Sequence, residues 1–194
     1  MSSAAENKKS KQLRILEAAF GLFTDKSVHT TAIDDIVKKA GVAKGTFYLY
    51  FKDKYDLLDQ IVIHKTSSVI QGALESIRKC SAELPFAEQM ILLTDYLLNY
   101  LQSNRKFASL INHNLSACFR ALTRVTNEGF ENVMREFVKL YSEKGYSEDF
   151  ARKLIYVIIN MVGSVGCDAV LNEKPYSMEE IRPVIHLSVQ KMLA

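Results

Sequence analysis

The chain has 194 residues, 48% of them hydrophobic, with 3 prolines, 8 glycines and a formal net charge of +3. That length allows one ordinary domain plus a small one, and that hydrophobic fraction excludes global disorder. No run of about 18 apolar residues offers a membrane span, and the polar start MSSAAENKKSK is not a secretion signal.

Residues 1–9 read as a flexible basic arm, able to reach DNA or to remain a plain tail. From Lys11 to Asp25, Leu13, Leu16, Ala19, Phe20 and Phe23 recur at helical spacing and predict a first helix ending near Lys26-Ser27. Thr31 is placed to cap a second helix, Ala32 to Ala40, with Asp34 returning the bond. Ile33, Ile36, Val37 and Ala40 would turn inward, and Gly41 would stop the helix. A third helix, about Ala43 to Tyr50, sets Phe47 and Phe51 four apart on its inner side. Lys44, Gly45, Thr46, Tyr48 and Tyr50 are left on or near the outer side. Asp53 can cap a long fourth helix to about Arg78. Beyond it the chain reads as helices: Phe86 to Leu101, a mixed stretch from Leu110 to Leu122, Asn127 to Glu143, Glu148 to Leu171, and Met178 to Met192 behind a Ser177/Glu180 capping box. Val and Thr are not concentrated in alternating runs. The expected fold is all-α with about nine helices, divided into the arm, a helix-turn-helix domain over 10–54 and a second domain over 55–194.

The charge is unevenly placed. Residues 1–54 carry 10 Lys+Arg and 6 Asp+Glu, a net of +4, whereas residues 55–194 carry 15 and 16, a net of −1. A polyanion-binding head on a neutral body has this form. Two short helices around a glycine turn can seat one of them in the major groove of DNA.

The residues Leu22-Phe23, Thr30-Thr31, Ile36, Ala40-Gly41-Val42, Gly45-Thr46-Phe47-Tyr48, Tyr50-Phe51, Lys54 and Leu57-Leu58 together resemble the TetR family of transcriptional regulators. The spacing agrees without a gap over about residues 10–60. Two positions depart from the family pattern: Ser27 where glycine is common, and Ala43 where serine or threonine usually opens the third helix. The resemblance implies a double-stranded DNA operator as partner. Thr30 and Thr31 would face a phosphate, Lys44, Gly45 and Thr46 would lie near base edges, and Tyr48 and Tyr50 would meet phosphates or a thymine methyl. Lys54 would neutralise a phosphate. Core packing is the alternative for the two tyrosines, and a solvated surface charge the alternative for Lys44 and Lys54.

Helix 148–171 is apolar over nearly its whole circumference, as a helix covered on both sides would be. With the last helix it resembles the family's four-helix dimer interface, for which Ile158, Val162, Val165, Ile181, Val184, Ile185, Ser188 and Met192 are the candidates. Tyr96, Tyr100, Phe107, Phe119, Phe137, Tyr141, Tyr156 and Asn160 are candidates for a cavity holding a small, largely apolar effector. Asn160, an amide in an apolar helix, must find a partner. No catalytic motif, metal cluster or cofactor motif is evident, and His64 and His113 lack a ligand set around them. Cys80, Cys118 and Cys167 fit reduced thiols. The expected function is a cytoplasmic, ligand-responsive repressor binding a palindromic operator as a homodimer, an activator being the alternative, with no enzymatic activity and no membrane partner.

Overall fold

The computed structural model describes residues 4–80, 84–112 and 128–194. Nine helices are present among them, and no strand: α1 (Ala4–Lys26), α2 (Ile33–Ala40), α3 (Lys44–Tyr48), α4 (Lys54–Cys80), α5 (Phe86–Ser103), α6 (Arg105–Asn112), α7 (Glu128–Glu143), α8 (Glu148–Leu171) and α9 (Met178–Leu193). The all-helical expectation holds. The expected arm does not, because α1 begins at Ala4 and is helical through the whole basic stretch. Residues 6–10 are exposed, so no apolar periodicity marks this first part of the helix.

Local chemistry accounts for the boundaries. Gly41 takes φ 64°, its N–H bonds Lys38 O, and Val42 N–H bonds Val37 O. These two bonds satisfy carbonyls that α2 would otherwise leave open. Gly145 (φ 86°) closes α7 in the same way, through Gly145 N–H to Ser142 O and Tyr146 N–H to Tyr141 O. Asp53 caps α4 by accepting from the N–H groups of Tyr55 (2.8 Å) and Asp56 (2.9 Å), while Asp56 accepts from Lys52 N–H. Ser147 caps α8, and the Ser177/Glu180 pair forms the expected reciprocal box at α9.

Two apolar clusters organise the chain. The head cluster joins Ile15, Leu16, Ala19 and Phe23 of α1 to Ile36, Val37 and Ala40 of α2, to Phe47 and Phe51, and to Leu57, Leu58, Ile61 and Val62 of α4. The head's packing therefore continues two turns into α4, past residue 54. Leu110 of α6 is buried in this same cluster, whereas Phe107 and Ala108 belong to the body cluster. Helix α6 thus has one side in each core. Lys106 adds an ion pair with Asp25 at the end of α1, 3.0 Å, and Arg105 donates to Leu171 O at the end of α8.

The body cluster gathers α5, α6, α7, α8 and α9. Helix α8 is its central member, with Ala151, Ile155, Ile158, Val162, Cys167, Ala169 and Val170 buried. At 24 residues it is long and apolar enough to cross a membrane, which corrects the expectation that no such stretch exists. Its apolar character has a structural reason, since α5, α6, α7 and α9 all pack on it. Gly166 lets α5 come close, for a Cβ there would lie 2.7 Å from Leu98 Cδ2.

Candidate nucleic-acid interface

Helix α3 is held to the head by its phenylalanines. Ala43, extended at φ −71° and ψ 149°, makes no side-chain cap. A missing cap costs about 0.5–2 kcal/mol, whereas burying a phenylalanine contributes about 1.5–3 kcal/mol. Phe47 and Phe51 are both buried and their rings lie 5.6 Å apart, so packing outweighs the absent cap. With that side buried, Lys44, Gly45, Tyr48 and Leu49 are exposed, and Thr46 and Tyr50 are half-buried. The Tyr48 ring stands edge-on to Phe47 at 5.3 Å, which fixes its direction. Tyr50 packs on Phe51 at the rim of the head cluster.

The outer face is electrostatically prepared. Lys44 Nζ meets Asp34 Oδ1 of α2 at 2.8 Å, and this partner raises the lysine's pKa. Both side chains are more than half exposed, so the pair adds little stability. Asp34 therefore pairs with Lys44 and does not return a cap to Thr31.

Two threonines divide. Thr30 is exposed, with its hydroxyl donating to Lys26 O and facing Ser27 Oγ. Thr31 is 1% exposed, and its hydroxyl donates to Ser27 O at 2.6 Å. It closes the α1–α2 loop with its hydroxyl hydrogen committed to that carbonyl, and the residue preceding α2 is Ala32, without a side-chain cap. The reason lies in Ser27, whose φ of 77° is a left-handed turn suited to glycine. That turn aims the Ser27 carbonyl at Thr31. Lys54 is also engaged: its Nζ donates to His29 O (2.6 Å) and Thr31 O (3.3 Å). Tyr55 reaches His29 Nδ1 at 3.3 Å. The start of α4 thereby clamps the loop carrying Thr30. The roles of Asp34, His29 and Tyr55, and the exposure of Leu49, had no signal in local spacing, because each depends on a contact or orientation set by the tertiary fold.

The expected cavity residues separate into an inner and an outer set. Phe107, Phe137 and Tyr141 are buried, and Tyr96 and Tyr100 are half-buried against the same cluster. Tyr100 meets Phe107 edge-on at 5.6 Å, and Phe137 lies 4.9 Å from Tyr141 and 6.2 Å from Phe86. The Tyr141 hydroxyl is buried with no hydrogen-bond partner among the described residues, and burial, then Tyr146, pushes its pKa up. Tyr156 instead stands exposed on α8, and the Asn160 amide finds its partner in the Tyr156 carbonyl of the same helix, 2.8 Å. These two do not join the buried aromatic set. Phe119 and His113 lie outside the described residues. A cleft of about 120 Å³ opens between α1 and α4, lined by Leu13, Leu16, Glu17, Phe20, Ile61, His64 and Lys65, and by none of the expected cavity residues.

Of the expected interface residues, Ile158, Val162 and Ile185 are buried in the chain's own core. Val165, Ile181, Ser188 and Met192 are half-buried, and Val184 is 53% exposed. The large apolar side chains that α8 and α9 do expose are Phe150, in the first turn of α8, and Tyr156, Val157, Val184 and Leu187.

Residues 15–61 match the family described as bacterial regulatory proteins, tetR family. The fatty acid metabolism regulator protein of Bacillus subtilis is 27% identical over 185 residues, covering 89% of this chain and 90% of that protein. The AcrR regulator of Shigella flexneri is 34% identical over 89 residues, 46% of this chain and 39% of that one. Among solved structures, the fold resembles that of the transcriptional regulator FadR from Bacillus subtilis in complex with stearoyl-CoA. That structure has a TM-score of 0.68 and 20% identity, over 93% of this chain and 98% of the other. FadR from Bacillus halodurans is similar too, with a TM-score of 0.63 at 21% identity, over 93% and 94% of the two chains.

Proposed function

The chain is a TetR-family transcriptional regulator, and we propose that it is a cytoplasmic homodimeric repressor of a palindromic operator, released by a long-chain acyl-CoA. The observation that carries the DNA reading is the outward face of α3. Lys44, Gly45 and Tyr48 stand exposed on a helix whose opposite side is locked by Phe47 and Phe51. A lysine there can donate to guanine O6 and N7, a bare glycine admits the groove edge, and a phenol can reach a phosphate. Thr30 supplies a further hydroxyl, and Thr46 a partly covered one. Lys54, whose ammonium retains one N–H beyond its two carbonyl partners, acts first by setting the loop and second by its charge.

One head reads half a site. Two recognition helices must fall in successive grooves about 34 Å apart, and a second copy packed on α8 and α9 would set that distance. Tyr156, Val157, Val184 and Leu187 are apolar side chains that those helices leave exposed beyond the first turn of α8. Val165, Ile181, Ser188 and Met192 would flank them.

The effector class rests on the Bacillus subtilis FadR bound to stearoyl-CoA and on the aromatic interior here. Tyr96, Tyr100, Phe107 and Phe137 would contact an acyl chain, and the Tyr141 hydroxyl, which has no hydrogen-bond partner among the described residues, would donate to a carbonyl. A ligand that favours the form unable to span two grooves shifts the population towards release. Gel-shift titration of DNA flanking the protein's own gene tests this at low salt. The complex should form, weaken with salt, and dissociate with stearoyl-CoA but not with free CoA. No retained duplex would defeat the DNA reading, and a complex indifferent to stearoyl-CoA would defeat the effector reading alone.

A further inference from the structure

Leu49 is 77% exposed, the most exposed of the chain's large apolar side chains among the described residues, and it belongs to neither apolar cluster. A lone surface leucine is ordinarily unremarkable. This one follows directly on α3, in helical conformation at φ −73° and ψ −20°. Helical periodicity puts it on the face of Gly45, four residues earlier and about 6 Å along the axis. Nothing lies within 4 Å of where a Gly45 Cβ would stand. Lys44 and Tyr48 form the adjoining column, also four apart and both exposed. The outward surface is therefore two columns, one with an ammonium and a phenol, the other bare at its start and aliphatic at its end.

We propose that Leu49 is a specificity-determining residue that reads the 5-methyl group of a thymine in the major groove. The inference rests on the DNA reading above and deepens it. The major-groove edge of an A·T pair carries one apolar group, the thymine methyl, and an isobutyl side chain has no hydrogen-bonding atom with which to read anything else. The vacancy at Gly45 lets the duplex approach this column closely, so that the far end of the column meets a base edge. Phe47 holds Tyr48 aside at 5.3 Å, leaving the leucine unobstructed. An advance of about 6 Å corresponds to somewhat under two base steps. The thymine read by Leu49 therefore lies one or two base pairs from the pair faced by Gly45.

The test begins with selection of a duplex from a random library by the full-length protein. Each thymine of the selected half-site is then replaced in turn by deoxyuridine, which lacks only the methyl. At least one position per half-site should lose about fourfold in affinity, the factor carried by one buried methyl-sized group, and about fifteenfold when it is replaced in both half-sites. In Leu49→Ala that position should become indifferent to the methyl while other positions, served by Thr46 or Tyr48, keep their sensitivity. Leu49→Met should retain the discrimination. Because the side chain is exposed and outside both cores, the variants should melt as the wild type does, which a thermal scan verifies. A selected half-site without a methyl-sensitive thymine, or unchanged discrimination in Leu49→Ala, overturns the assignment while leaving DNA binding intact. Failure to select any duplex overturns both.

Discussion

Gly72 of α4 faces Tyr96 of α5 at a distance that no other residue type tolerates unchanged. A Cβ at position 72 would lie 2.2 Å from Tyr96 Oη, 3.0 Å from Cζ and 3.6 Å from Cε1. Ordinary contact begins near 3.4 Å, so the phenol must withdraw by more than 1 Å or the helices must part. Overpacking of this kind costs about 1–3 kcal/mol. Against it stands the helix preference for alanine over glycine, about 1 kcal/mol. Gly72→Ala should therefore be neutral to destabilising by up to about 2 kcal/mol in the wild type. In a Tyr96→Ala background the clash is gone, and the same substitution should stabilise by about 1 kcal/mol. Urea unfolding of the four proteins at one fixed protein concentration reads the cycle. The coupling between the two sites should be about 1–3 kcal/mol. If Gly72→Ala stabilises both backgrounds equally, α5 does not approach α4 this closely at Gly72.

Other parts of the molecule yield equally direct expectations. Lys44→Ala should leave the melting temperature unchanged and weaken operator binding about tenfold or more, as the loss of one base contact worth about 1–3 kcal/mol does. Asp34→Asn frees the same ammonium from its partner and removes a negative charge from the DNA face, so its operator affinity should equal or exceed the wild type's; a loss would mean that Asp34 orients Lys44 for binding. Glu180 is held below the usual glutamate pKa by the Ser177 N–H and hydroxyl. A depressed folded pKa contributes stability that is complete above the unfolded value and is lost as pH falls through the folded one. The melting difference between wild type and Glu180→Ala should accordingly be largest near neutrality and shrink on acidification below about pH 4.3. Cys167 is fully buried and its thiol is pushed up to about 12. At pH 8 it should resist alkylation in the native protein and react at once in urea, which mass spectrometry of the Cys167 peptide would show.

What could be read without coordinates divides along a physical line. Features set by neighbours in sequence were legible: the Phe47 and Phe51 spacing that gives α3 its inner side, Gly41 as the stop of α2, and Asp53 and Ser177 as caps. Each depends on backbone chemistry within one turn. The start of α1 at Ala4 was not legible, since residues 6–10 carry no buried side chain to impose a period. Thr31 had a choice between capping α2 and closing the loop, and the left-handed Ser27 decided it. Lys54 likewise turns to carbonyls twenty-three and twenty-five residues away, a partner set by the packing of α4 on the head. In α8, composition shows a helix apolar nearly all round but not which of its side chains meet the chain's own core. Ile158 and Val162 turned to the chain's own core, whereas Tyr156 and Val157 turned outward.

The central claim is that two copies of this head are spaced to read one duplex. Hydroxyl-radical footprinting of the selected operator tests it most directly. Two equivalent protected segments should appear on one face of the DNA, centred about 34 Å apart, and both should be lost when stearoyl-CoA is added. A single protected segment, or two whose spacing places the grooves on opposite faces, would contradict it.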